Sequence, residues 1–143
     1  MDAKRDVLAF GLMPDEGHAI PGIGTLKISG LQTAGAFEVI EFAGPDAPPH
    51  VHRAREEAFF VLAGSFTFTL GEDTLPAPRG AVVFVPRGVR HGFRSEAGSK
   101  ALLLVAPAGL EGYFRALGRA LQAGRPPAEV RRELAAAHDS IPA

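Results

Sequence analysis

No cysteine occurs in the 143 residues. That absence excludes a disulfide framework and a thiolate metal site, and leaves imidazole and carboxylate as the groups able to hold a metal ion. A charge imbalance is missing too: 15 Lys and Arg stand against 16 Asp and Glu, a formal net charge of −1. No overall basic field therefore favours nucleic acid or an anionic membrane. No stretch approaches the roughly 18 apolar residues of a membrane span. The apolar run Val7 to Met13 follows Lys4 and Arg5, but it is short, contains Gly11 and stops at Pro14-Asp15-Glu16 without a small-residue cleavage pattern. It is expected to form an N-terminal arm or first strand of a soluble, cytoplasmic protein. The length and 46% hydrophobic content suit one domain with one core, residues 1–143.

What is present is a series of short β-rich segments parted by Gly and Pro. Thr25 to Ser29 and Phe37 to Phe42 read as an antiparallel pair of strands. Glu38 and Glu41 fall on opposite faces of the second, so one can face inward. The three prolines of Ala43 to Pro49 argue against a central strand, and a turn is expected before His50. Ala58 to Ala63 reads as a strand, Gly64-Ser65 as a tight turn, and Phe66 to Leu70 as a strand directing Phe66, Phe68 and Leu70 inward. Gly71 to Arg79 reads as a polar loop, Ala81 to Val85 as a fully apolar strand, and His91 to Ser95 and Ala101 to Ala106 as the last strands. This spacing predicts an all-β sandwich or barrel over about 20–106. Beyond it, Leu110, Phe114, Leu117 and Leu121 recur at helical spacing, and a weaker helix over about 128–138 carries Val130, Leu134 and Ala137; together they form a helical extension over about 107–143.

Two stretches carry the chemistry. Gly44 to Gly64 (GPDAPPHVHRAREEAFFVLAG) holds His50, His52 and two neighbouring carboxylates; Gly80 to Ser95 (GAVVFVPRGVRHGFRS) holds His91. One residue separates His50 from His52, so an extended chain presents both imidazoles on one face, roughly 7 Å apart along the backbone. Alternation from His52 favours Glu56, whereas Glu57 requires a bulge or turn across Arg53 to Glu56 that resets the register. Spacing alone leaves both open. His91 follows a Pro-Arg-Gly turn, a fixed entrance to a new strand. Three imidazoles and a carboxylate suit Fe, Mn, Ni, Zn or Cu as a divalent ion and leave positions open for chemistry.

The two stretches resemble the two motifs of the cupin superfamily. Gly44, His50, His52, Glu57 and Gly64 fall at the first motif's spacing, and Gly80, Pro86, Gly88 and His91 at the second's. Ser95 stands where the second motif often has Asn. The resemblance implies that Glu57 is the carboxylate ligand beside His50, His52 and His91. It also implies a six- to eight-stranded double-stranded β-helix (jelly-roll barrel). The short insert Ser65 to Arg79 and the wording REEAFFVLAG and PAGLEGYFRALG resemble small bacterial single-domain cupins, some labelled quercetin dioxygenase-like.

These readings converge on a metal-dependent cupin, expected to act as an oxygenase on a small oxygen-rich molecule, an enol or phenol. The alternatives are a non-redox cyclase, isomerase or lyase, polyketide cyclase among them, and a binding or sensing module without turnover. No general base is evident beyond the ligands, Glu38, Glu41 and Glu56. Phe59, Phe66, Phe68, Phe84 and Phe93 are candidates to line an aromatic cavity, with Phe59, Phe68 and Phe93 as substrate contacts. Arg53, Arg55, Arg87 and Arg90 crowd the ligand turns as solvated charges able to steer an anion. His18 and His138 read as surface residues. The Leu110 to Leu121 stripe is expected to cover the barrel or a partner in a homodimer.

Overall fold

The computed structural model describes residues 8–143. Among these, eleven strands and two helices follow in the order β1 (His18–Ile20), β2 (Gly24–Ile28), β3 (Glu38–Phe42), β4 (Ala47–Val51), β5 (Glu56–Ala63), β6 (Ser65–Leu70), β7 (Asp73–Pro78), β8 (Val82–Val85), β9 (His91–Ser95), β10 (Lys100–Ala106), α1 (Glu111–Gln122), α2 (Pro127–His138) and β11 (Ile141–Pro142). One sheet runs β1-β2-β3-β10-β5-β8 and the other β11-β4-β9-β6-β7. The two sheets form the double-stranded β-helix that the motif spacing implies. Eleven strands exceed the expected six to eight; β1, β7 and β11 all lie at sheet edges.

The core follows from alternation. In β5, Glu57, Phe59 and Val61 are buried while Phe60 and Leu62 are exposed, the period of two that a sheet with one inward face requires. Phe59, Phe66, Phe68 and Phe93 pack ring against ring, with centroids 5.0–5.9 Å apart. β5 and β6 follow one another through Gly64 but enter different sheets. Gly64 turns this corner at φ 69°, and a Cβ there would strike Ser99.

Three expectations are corrected. The segment with three prolines does form a strand: β4 contains Pro48 and Pro49, and its pairing with β9 shifts register between Ala47 and His50. At this irregularity, the prolines' missing N–H groups cost the ladder nothing. The polar segment after Gly71 is also a strand, β7, paired along its length with β6. As an edge strand it tolerates Pro76 and Pro78 and needs only Ala77 to be apolar and buried. β8 is apolar without being enclosed, since Val82 and Phe84 face outward, and this removes Phe84 from the cavity lining. Of the arm or first strand expected over Val7 to Met13, residues 8–13 take the form of an arm that pairs with no described strand; Val7 and the residues before it lie outside the described residues.

Both helices close the barrel. Glu38, buried in β3, accepts hydrogen bonds from the backbone N–H groups of Gly109 (3.1 Å) and Leu110 (2.6 Å) and so fixes the entry to α1. The inward carboxylate of β3 therefore anchors a helix, while Glu41 pairs with Lys27 at the surface. α1 buries Tyr113, Phe114, Leu117 and Gly118. A Cβ on Gly118 would run into the Pro21 carbonyl, so glycine sets the close approach of helix and barrel. On α2, Val130 and Arg131 are buried, but Ala137 is exposed. Among the described residues no helix is long and apolar enough to cross a membrane.

Candidate metal centre

His50 on β4 lies opposite His91 on β9 in the strand register, and His52 follows β4 directly. Between His52 and β5 the chain turns through Arg53, Ala54 and Arg55. Asp139 holds that turn: its carboxylate accepts hydrogen bonds from Arg53 N (2.8 Å) and Ala54 N (2.9 Å) and pairs with the Arg55 guanidinium (3.0 Å). Out of this turn Glu57 faces inward, 3% exposed, and Glu56 is left half-buried. The register reset expected between Arg53 and Glu56 is thus made by a turn whose donors are satisfied from the far end of the sequence.

One donor atom from each of His50, His52, Glu57 and His91 lies within 4.8 Å of the others. The three rings are oriented alike. His50 Nδ1 lies 2.8 Å from Pro48 O, His52 Nδ1 2.7 Å from Asp139 O, and His91 Nδ1 2.8 Å from Val89 O. A carbonyl oxygen only accepts, so each Nδ1 carries its hydrogen and a neutral ring turns the Nε2 lone pair inward. Those lone pairs meet a carboxylate. Glu57 Oε1 lies 2.8 Å from His91 Nε2 and 3.1 Å from His52 Nε2, the latter off the line that a hydrogen bond requires. Such a convergence is repulsive until a proton or a cation occupies its centre. The donor set fits a divalent transition metal, with the Nδ1 bonds orienting the ligands.

The ionisation tendencies follow the same geometry. Burial, then the neighbouring imidazoles of His91 and His52, push the His50 pKa down to about 3. Burial also opposes charge on His52, but Glu57 and the Asp139 carbonyl outweigh it and hold its pKa above the ordinary value. Burial alone would raise Glu57, yet His52 and His91 hold its carboxyl well below the usual range. The carboxylate is therefore ionised and at least one imidazole neutral near neutrality, the forms in which they ligate a metal.

An inner cavity of about 30 Å³ adjoins the cluster, bounded by His50, His52, Glu57, Phe59 and Phe93 on the barrel side and by Tyr113, Phe114 and Arg131 on the helical side. Of the three phenylalanines expected to contact substrate, Phe59 and Phe93 reach this cavity. Phe68 packs behind them, 5.0 Å from Phe59 and 5.6 Å from Phe93 between ring centroids. Phe66 is likewise core. Arg55 is tied to Asp139, and Arg90 to the Gly71 and Ala143 carbonyls. Three residues near the site were absent from the sequence reading: Tyr113, Arg131 and Asp139. Tyr113 was legible as a neighbour of Phe114 on the apolar side of α1; Arg131 and Asp139 carry no local signal.

Comparison with known proteins agrees with the fold. Over 45 residues, the chain is 44% identical to an uncharacterized protein of Streptomyces coelicolor, an alignment covering 32% of this chain and 40% of that protein's length. It is 30% identical to the polyketide cyclase RemF from Streptomyces resistomycificus, with a TM-score of 0.54 over 70% of this chain and 80% of RemF. An uncharacterized conserved protein with a double-stranded β-helix domain from Klebsiella pneumoniae shares the fold at 19% identity, with a TM-score of 0.53 over 76% of this chain and 91% of that one. A model of the cupin domain matches residues 37–107, which run from the start of β3 through β10 and include all four clustered side chains. The chain belongs to the cupin superfamily.

Proposed function

We propose that this protein is a metal-dependent enzyme that carries out a non-redox transformation, a cyclisation, dehydration or isomerisation, on a small enolisable carbonyl compound. The observation that carries the reading is the set of four inward donors, with three Nε2 lone pairs and a carboxylate meeting at one wall of an aromatic cavity. The likeness to RemF, described as a polyketide cyclase, favours cyclase-type chemistry over the oxygenase expected from the quercetin dioxygenase-like resemblance. His50, His52 and His91 through Nε2, with Glu57, would hold the ion. A bound divalent ion supplies Lewis-acid polarisation of a carbonyl or enol oxygen. The chain does the rest: Phe42, Phe59, Phe93 and Phe114 give the cavity an apolar wall, and the Pro48, Asp139 and Val89 carbonyls keep the imidazoles oriented.

The test is elemental analysis of protein from its native host, followed by incubation of the metal-loaded protein with β-polyketone substrates in the presence and absence of O₂. Turnover that proceeds without O₂ and depends on the metal is expected. Stoichiometric O₂ consumption would restore the oxygenase reading, and retention of an unchanged ligand would make the protein a binding module.

The reading includes a homodimer formed through the edge of β8, which no other strand among the described residues pairs. There Val82 and Phe84, about 60% exposed, join Phe60 and Leu62 in an apolar strip beside unpaired backbone groups. A strand edge pairs antiparallel with its own copy about a two-fold axis. Sedimentation should give a dimer that Phe84→Glu disperses.

A further inference from the structure

Among the described residues, Arg131 is a buried cation with no anion beside it. Its side chain on α2 is 9% exposed; Nη1 donates to Tyr113 Oη (3.0 Å), Nη2 to the Asp46 carbonyl (2.9 Å), and Nε is buried without a partner. Both acceptors are neutral, and no ion pair among the described residues includes Arg131. Other buried ionisable groups are compensated: Glu57 faces imidazoles and Glu38 accepts two backbone N–H groups. A guanidinium withdrawn from water and given only neutral partners is costly unless an anion completes it.

Its position says where that anion belongs. Arg131, Tyr113 and His50 border both the inner cavity and an outer cleft of about 430 Å³, which Pro48, Pro49, Arg132 and Pro142 also line. The inner space takes roughly two waters at about 10–15 Å³ each, whereas the outer cleft is large enough for the body of a small organic ligand. Arg131 therefore stands on the wall shared by the cleft and the cavity beside the His and Glu cluster. Arg presents a planar fork matched to a carboxylate, and the Tyr113 hydroxyl holds the fork in place.

We infer that Arg131 is the anchor for a carboxylate on the substrate, so that the ligand is an acidic enolisable carbonyl compound gripped at one end by the metal and at the other by α2. The inference rests on the metal-dependent reading above and narrows its substrate class. The residue recognises substrate; it moves no proton.

The test uses 4,6-dioxoheptanoate and its methyl ester, the same β-diketone with and without the terminal charge, titrated calorimetrically into the full-length Zn-loaded protein. Wild type should bind the acid at least about ten-fold more tightly than the ester, the range of a charge-assisted hydrogen bond. Arg131→Gln should erase that preference while ester affinity and metal content stay within about two-fold. Arg131→Lys should keep part of it, and Arg119→Gln, on the exposed face of α1 and outside both spaces, should keep all of it. If Arg131→Gln does not fold, the Lys and Arg119 variants decide. Equal affinities in wild type, no binding of the acid, or a preference that survives Arg131→Gln or disappears in Arg119→Gln would overturn the anchor. A protein that takes up no metal yet prefers the acid keeps the anchor and sinks the metal reading. A metal-loaded protein indifferent to the charge does the reverse.

Discussion

Residues 44–64 and residues 139–143 lie side by side along β4, and they serve the same centre in opposite ways. The first stretch supplies His50, His52 and Glu57 as donors. The second supplies no donor, but pairs Ile141 with Val51 and Pro142 with His50, orients the His52 ring through the Asp139 carbonyl, and holds the turn that sends Glu57 inward. Ligand identity is therefore local, as is the orientation of His50 and His91 through the Pro48 and Val89 carbonyls, whereas the orientation of His52 and the turn before Glu57 come from the other end of the described chain. An imidazole without its Nδ1 partner can still bind a metal, but it must first be ordered, and that cost falls on affinity.

The comparison breaks most completely if the donors themselves are dispensable. His91→Ala and Glu57→Ala should each lower divalent-metal affinity by more than about 100-fold, beyond the effect of losing an outer partner. Competition against a chromophoric chelator measures this. Near-wild-type affinity in either variant would mean that the cluster is not the binding site.

Next in size is Asp139→Ala, which leaves every donor in place. It removes the acceptor for Arg53 N and Ala54 N and puts alanine where φ is +53°. Metal affinity should fall about 10- to 100-fold. Asp139→Asn tolerates the left-handed backbone and keeps one acceptor oxygen, so it should recover most of the loss. Equal affinities in wild type and Asp139→Ala would reduce the tail to packing.

A smaller effect should appear in the metal-free protein as pH changes. Burial alone would lift the Asp139 pKa, but the N–H groups of Ala54 and Arg53 and the Arg55 guanidinium hold it below the ordinary value. A group depressed in the folded state contributes stability above its unfolded pKa, about 3.9, and loses it as pH falls through the folded value. The difference in melting temperature between wild type and Asp139→Asn should be present at pH 6 and shrink below about pH 4. A difference that grows on acidification would reverse the sign and show that the carboxylate is not what the turn binds.

The same contrast explains what could be read from the sequence. His50, His52 and His91 were legible because alternation along strands and a Pro-Gly turn place side chains within a few residues. The inward place of Glu57 was legible only through family spacing, since the turn that selects it over Glu56 is held by a residue more than eighty positions away. β4 and β7 were misread where proline and polarity argued against a strand that a register shift and a sheet edge allow. Arg131 was invisible for the same reason as Asp139: a basic residue on a weakly amphipathic helix reads as solvated until the barrel beneath it is known. Glu38 shows the converse, since alternation correctly put one of the β3 carboxylates inside, but only α1 revealed its partner.

The least effect on the metal should come from Tyr113→Phe, and that small effect sharpens the division of labour. The substitution deletes only the hydroxyl that accepts from Arg131 Nη1. It leaves the ring beside Phe114, and each imidazole keeps its own carbonyl partner. The loss to stability should be about 1 kcal/mol, the worth of one hydrogen bond, and metal affinity should stay within about two-fold of wild type. If the helical residues at the cavity serve the substrate end alone, binding of 4,6-dioxoheptanoate should weaken in this variant while chelator competition does not register the change. A parallel fall in metal affinity would instead couple α1 to the ligand set, and the cluster would then depend on both helices as well as on the five residues that follow them.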